Sequence, residues 1–127
     1  MGKFFTPPRR FVSRACGEGL EIVRHAVPCA ALDGLKLAFF SDIHASPRFS
    51  DAALEALFAR VDALGADIIC IGGDFAEDAE SLERLSRALP LLRPRLGIYA
   101  CMGNNDSEIA GFAQLVRGHV RLLVNES

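Results

Sequence analysis

The chain is 127 residues long; half of its residues are hydrophobic, 24% are charged, and the net charge is −2. This length suits one domain, and the composition is that of a globular protein rather than a disordered one. No apolar run reaches the roughly 18 residues of a membrane-spanning helix, and the slight negative charge argues against specific nucleic-acid binding. Four cysteines are too few for a disulfide scaffold. The composition therefore predicts a soluble, intracellular, single-domain protein.

The amino-terminal end differs from the rest of the chain in charge. Residues 1–14 contain four basic side chains and no acidic one. The pair Arg9-Arg10 resembles a twin-arginine export signal, but charged residues interrupt the segment where such a signal has an apolar region. We therefore predict that residues 1–19 are a basic tail, solvated or touching a membrane surface, on a cytoplasmic protein.

After the tail, strand and helix patterns alternate. Loosely alternating or continuous apolar runs predict strands over residues 20–27, 35–41, 67–71, 98–102 and 120–124. Three helices are predicted between the last four strands. The first has Ser50 as its cap and Gly65 at its end, and the third begins at Asp106 or Ser107. The second carries a leucine stripe that consists of Leu82, Leu85, Leu89 and Leu92.

The predicted order is β-β-α-β-α-β-α-β, and helices between strands imply a mostly parallel sheet with crossover helices. This is an α/β domain over residues 20–127. In open α/β sheets, ligands bind beyond the carboxyl ends of the strands, so functional residues are expected there.

Three of the predicted strands end in polar motifs. These are Ser41-Asp42-Ile43-His44, Gly72-Gly73-Asp74 and Gly103-Asn104-Asn105-Asp106. The spacing of Asp42 and His44 places both side chains on one side of an extended segment, within reach of one ion. Carboxylate and imidazole ligands suit Mn²⁺, Fe or Zn²⁺ better than Ca²⁺. Asp74 could bridge to a second ion, and two adjacent ions are a common device for phosphate-ester hydrolysis.

In this order, the three motifs resemble the first three motifs of the calcineurin-like metallophosphoesterases. The segment LKLAFFSDIHASP resembles a branch of small bacterial phosphodiesterases within that superfamily. The resemblance implies a sandwich of two helix-flanked sheets, of which the chain has the first half. It also implies hydrolysis of phosphate mono- or diesters, including lipid or nucleotide substrates, at a dinuclear metal centre.

The resemblance assigns roles to individual residues. Asp42 and His44 would bind the first metal ion, Asp74 would bridge both ions, and Asn104 would bind the second. Asn105 and Asp106 would lie at the phosphate, Asp106 orienting its catalytic neighbour. Apart from the resemblance, the position of Arg48, four residues after His44, makes it a candidate contact for a substrate phosphate; the favoured alternative is an ordinary exposed loop arginine.

The sequence also departs from the family pattern. The family usually has His where Asn105 stands, although some members that act on lipid A precursors lack it, and an amide cannot donate a proton at neutral pH. The family's later histidine motifs have no counterpart after Asn104, where His119 is the only histidine. The alternative function is therefore a truncated, non-catalytic remnant that binds metal or a partner. Without a second sheet, the first would expose apolar surface, which favours self-association.

Overall fold

The computed structural model describes residues 9–14, 21–103, 106, 109, 111–116 and 118–123. The chain forms two compact units, residues 1–34 and residues 35–127. The predicted division into a tail at 1–19 and a domain from residue 20 stays a prediction. In the described part of the chain, no helix combines the length and the apolar character needed to cross a bilayer.

The first unit contains a β-hairpin. Strand β1 (Arg9–Arg14) pairs antiparallel with β2 (Glu21–Ala26), and a 3₁₀ turn follows at Ala30–Leu32. Strand β2 matches the strand predicted over residues 20–27. Strand β1 lies inside the segment predicted as a tail, where no strand was predicted. The strand pattern of this segment is weak in the sequence, and the strand forms by pairing with β2.

The second unit is built on a four-stranded parallel sheet in the order β3-β4-β5-β6. Its strands are β3 (Leu37–Phe40), β4 (Ile68–Ile71), β5 (Ile98–Ala100) and β6 (Arg121–Leu122). The connecting helices are α1 (Asp51–Ala63), α2 (Ala79–Ala88) and α3 (Phe112–Val116), and a 3₁₀ turn at Leu89–Leu91 follows α2. This confirms the predicted α/β fold with a mostly parallel sheet and crossover helices.

The helix signals in the sequence act largely as expected. The Ser50 hydroxyl caps α1 by accepting a hydrogen bond from the Ala53 N–H at 3.1 Å, and Gly65 follows the helix with a φ of 68°. The leucine stripe, which runs through α2 and the 3₁₀ turn to Leu92, is buried in the hydrophobic core. The predicted third cap differs, because the Asp106 side chain accepts hydrogen bonds from the loop after β4 and from Gly103 in its own loop; Ser107 lies outside the described residues.

The core lies on one face of the sheet. Ala38 and Phe40 of β3 pack against buried residues of β4 and the helices, and full burial of such an apolar side chain contributes about 1.5–3 kcal/mol. The alternate residues Leu37 and Phe39 are 57% and 66% exposed. We call the side of the sheet that carries Leu37, Phe39, Cys70 and Tyr99 the open face; the last two, in register with Phe39, are half-buried.

Candidate metal centre

The carboxyl ends of three strands lie level at one edge of the sheet. Phe40 is in register with Ile71, and Ile71 is in register with Ala100, so β3, β4 and β5 end side by side. Each strand leads directly into one of the polar motifs. The sheet register therefore brings together segments that are about thirty residues apart in the chain.

The loops after β3 and β4 continue to pair beyond the sheet. Backbone N–H groups of the first loop donate to carbonyls of the second at 2.9–3.0 Å: Asp42 to Gly73, His44 to Asp74, and Ala45 to Phe75. Ala45 also accepts a hydrogen bond from the Glu77 N–H at 2.8 Å. The backbone of both loops is thus held by the same kind of bond that holds the strands.

The backbone at Asp42, His44 and Asp74 adopts positive φ angles of 58°, 49° and 53°. The prediction that Asp42 and His44 lie on an extended segment is therefore wrong. The left-handed conformation turns the chain between successive side chains, and it costs non-glycine residues of order 1–3 kcal/mol each. Strain of this kind persists where other contacts hold the backbone in place. Here the hydrogen bonds between the loops after β3 and β4 do so.

The side chains of these three residues converge. One ligand atom from each lies within 4.8 Å of the other two. His44 Nε2 is 3.5 Å from Asp42 Oδ1 and 4.0 Å from Asp74 Oδ2. We call Asp42, His44 and Asp74 the ligand cluster. Two carboxylate oxygens and one imidazole nitrogen at these separations fit a divalent transition-metal ion.

Asp42 has a hydrogen-bond partner that the sequence analysis did not identify. The Ser41 hydroxyl donates to Asp42 Oδ2 at 2.7 Å. This bond is the main cause that lowers the pKa of Asp42 below its ordinary value, with contributions from Asp74 and His44. A lowered pKa keeps the carboxylate ionised, the form in which it binds metal.

Two glycines allow the loops after β4 and β5 to touch. Gly73 has a φ of 114°, and a Cβ there would lie 2.7 Å from Gly103 N. A Cβ at Gly103 would overlap Asp74, with Asp74 Cγ at 2.6 Å. Both positions therefore need glycine on steric grounds.

The Asp106 side chain lies beneath these loops and is fully buried. Its Oδ2 accepts hydrogen bonds from the N–H groups of Asp74 at 2.7 Å and Gly103 at 2.8 Å, and its Oδ1 accepts from Phe75 N–H at 2.8 Å. Asp106 therefore links the loop after β4 to the loop after β5.

The remaining predicted site residues have different positions. Asn104 and Asn105 lie outside the described residues, so their predicted roles stay predictions. Arg48 is exposed on the loop between β3 and α1. His119, not expected to be a ligand, is exposed before β6 and is not part of the ligand cluster.

Arg84 of α2 contacts the loop between β3 and α1, and the sequence did not predict this role. Its guanidinium donates to the carbonyls of Ser46 and Phe49 and forms an ion pair with Asp51 at 2.7 Å. In the sequence, Arg84 is one of several charged residues on a helix, and no local signal separates it from the others. The role of Ser41 is also difficult to predict from sequence, because serine before aspartate is common.

Comparison with known proteins agrees with this geometry. The family model for calcineurin-like phosphoesterases matches residues 35–125. A Danio rerio protein named "Transmembrane protein with metallophosphoesterase domain" is 35% identical over 91 residues, which cover 68% of this chain and 21% of that protein. The protein of the same name from Bos taurus is 32% identical over 113 residues, which cover 85% and 25%.

A bacterial relative carries a more specific name. The "UDP-2,3-diacylglucosamine pyrophosphatase LpxG" of Chlamydia trachomatis is 38% identical over 79 residues, which cover 61% of this chain and 24% of that enzyme. The chain thus spans about a fifth to a quarter of the length of these relatives. With a family model that matches most of its length and a ligand cluster at the matched motifs, the chain belongs to the calcineurin-like phosphoesterase family.

Proposed function

We propose that this chain is a metal-dependent phosphoesterase that hydrolyses phosphate mono- or diesters at a centre of two divalent ions, Mn, Fe or Zn. The observation that supports this most strongly is the convergence of Asp42, His44 and Asp74 within 4.8 Å, each on a left-handed backbone. A surface cluster without a function would not require three strained positions at the same place.

Each residue of the ligand cluster has a role in this proposal. Asp42 and His44 would hold the first ion, Asp74 would be a ligand to both ions, and Asn104 would hold the second. When bound, the two ions supply Lewis-acid activation of water and of the phosphate. Ser41 fixes one oxygen of Asp42 and leaves the other directed towards His44.

Substrate contacts are assigned to the neighbouring loops. We place Asn105 at the phosphate, where its amide donates a hydrogen bond to a phosphate oxygen. The exposed Arg48 provides a positive charge from the loop after β3. The name of the Chlamydia trachomatis relative refers to a pyrophosphate that joins a nucleotide to a lipid precursor. That name supports a lipid- or nucleotide-linked phosphate ester as the substrate class.

The test compares Asp74→Asn with Glu80→Gln, which removes the same charge at an exposed position on α2. We expect Asp74→Asn to weaken Mn²⁺ binding in calorimetry at least tenfold, and to reduce Mn²⁺-dependent hydrolysis of an aryl phosphodiester in parallel. Glu80→Gln should behave as the wild-type chain. Equal Mn²⁺ affinities in Asp74→Asn and wild type would refute the ligand assignment.

A second function, metal or partner binding without turnover, is favoured by the amide at Asn105. Where the family has a proton donor, an amide has none to give at neutral pH. The same calorimetry separates the two functions. Two tightly bound ions together with turnover support the enzyme, whereas one weakly bound ion and no hydrolysis support the non-catalytic remnant.

We also propose that the protein is cytoplasmic and lies at a membrane surface. Arg9, Arg10 and Arg14 are on β1 of the hairpin, and Arg24 is on β2 beside it. Basic residues close to an anionic bilayer contribute roughly 1 kcal/mol each. The relatives from Danio rerio and Bos taurus are both named as transmembrane proteins, which supports a location at a membrane.

Vesicle sedimentation tests this location. The double variant Arg9→Glu/Arg10→Glu should lose more than about tenfold in affinity for phosphatidylglycerol vesicles. The matched variant Arg87→Glu/Arg93→Glu, in the second unit, should retain wild-type affinity. Equal binding to phosphatidylglycerol and phosphatidylcholine vesicles would contradict the proposal.

A further inference from the structure

Asp106 has a burial that is unusual for a carboxylate. Its side chain is 0% exposed, and carboxylates are seldom fully buried unless their oxygens are satisfied. Here three backbone N–H groups donate to the two oxygens at 2.7–2.8 Å. These bonds account for the burial and tie Asp106 to the loops that hold the ligand cluster.

Two of the three bonds come from the peptide groups on either side of Asp74. The Asp74 N–H belongs to the preceding peptide group, and the Phe75 N–H belongs to the following one. The orientations of these two groups define φ and ψ of Asp74. A single carboxylate that binds both N–H groups therefore fixes the backbone of Asp74 at its positive φ of 53°.

The third bond sets the position of that backbone relative to β5. Asp106 Oδ2 is shared between Asp74 N–H and Gly103 N–H, so the two loops are held at the distance that only glycines at 73 and 103 allow. The His44 N–H donates to the Asp74 carbonyl, so the position of the Asp74 backbone also fixes the position of the His44 backbone.

We propose that Asp106 is a positioning residue for the ligand Asp74, holding both of its flanking peptide groups so that its carboxylate is directed towards Asp42 and His44. This inference rests on the proposed metal-binding function. It extends the role expected from the sequence, in which Asp106 orients Asn105. Asp106 acts through the backbone and does not itself contact the ion.

The isosteric variant Asp106→Asn tests this role. In wild type, the N–H groups of Asp74 and Phe75 donate to different oxygens of Asp106. An asparagine side chain has only one oxygen, so it cannot accept both hydrogen bonds in this arrangement. The matched control is Val61→Ala, a buried truncation on α1. Both variants are compared with wild type by thermal unfolding, Mn²⁺ calorimetry and amide hydrogen exchange.

We expect Asp106→Asn to raise the Mn²⁺ dissociation constant about 10- to 100-fold, the usual effect of removing a group that orients a ligand. The Mn²⁺ dissociation constant of Val61→Ala should stay within about twofold of the wild-type value, even if its melting temperature falls as far as that of Asp106→Asn. A wild-type dissociation constant in Asp106→Asn, or an equal loss in Val61→Ala, would overturn the proposal. Asp106→Glu, which keeps the charge but displaces the oxygens, replaces Asp106→Asn if the latter does not fold.

Hydrogen exchange separates this inference from the proposed function. If wild type binds no Mn²⁺, the metal proposal fails, and the metal-free amides decide the role of Asp106. If Asp106→Asn loses protection from exchange at the amides of Asp74 and Phe75 but not at the amide of Ile69, the positioning role of Asp106 is supported. Uniform loss at all three amides, or no protection at Asp74 and Phe75 in wild type, overturns it.

Discussion

The contact between Gly103 and Asp74 gives the most direct test of how the site is built. Gly103→Ala adds one methyl group at a residue whose φ is not positive, so the backbone conformation itself tolerates alanine. The new Cβ would lie 2.6 Å from Asp74 Cγ and would overlap the neighbouring N and Oδ1 atoms of Asp74. The effect of the substitution is therefore steric and falls on a member of the ligand cluster.

The size of the effect follows from the geometry. Ordinary carbon contacts lie at about 3.5–4.0 Å, so the loops must separate by about 1 Å. Overpacking of this kind typically costs about 1–3 kcal/mol. For a unit of this size, each kcal/mol lowers the melting temperature by roughly 4–8 °C. Because Asp74 moves with its loop, we expect Mn²⁺ affinity to fall by about 10- to 100-fold as well.

Thermal unfolding and Mn²⁺ calorimetry on the same preparations measure both effects. Gly118→Ala is the matched control, because a Cβ there meets nothing within 4 Å and Gly118 has no positive φ. That variant should be neutral or gain up to about 1 kcal/mol and should keep its Mn²⁺ affinity. If Gly103→Ala has the stability and Mn²⁺ affinity of Gly118→Ala, then close approach of the loops does not set the ligand geometry.

Two further predictions concern stability and association. Asp78 caps α2, and the hydrogen bond from Ser81 N–H lowers its pKa, so its stabilisation is present above its ordinary pKa and is lost as pH falls through the lowered one. The advantage of wild type over the non-titrating Asp78→Asn in thermal unfolding should therefore shrink between about pH 5 and pH 2; a constant difference would contradict this. On the open face, Phe39→Ser should reduce self-association in sedimentation velocity more than Leu96→Ser, which removes an exposed apolar side chain elsewhere. Equal sedimentation of both variants and wild type would show that the open face does not mediate association.

The sequence predicted the order of elements well because the physical signals are local. A Ser50 cap, a glycine after α1 and a leucine stripe each depend on residues within a few positions of one another. The expectation that strand ends meet at one edge is also a general property of parallel sheets. These rules are sufficient to predict that Asp42, His44 and Asp74 lie close together, as they do in the structure.

What the sequence could not predict depends on contacts between distant residues. Asp106 fits an N-cap pattern equally well, and its use as an acceptor for the loop after β4 appears only when β4 and β5 lie side by side. The left-handed backbone at Asp42 likewise has no signature in an aspartate.

The continued pairing of the loops after β3 and β4 has a consequence for how an ion enters. The chain entropy needed to order the three donor groups is lost when the sheet forms, before any ion arrives. Ion exchange should therefore proceed without partial unfolding, at a rate governed by dehydration of the incoming cation rather than by rearrangement of the polypeptide.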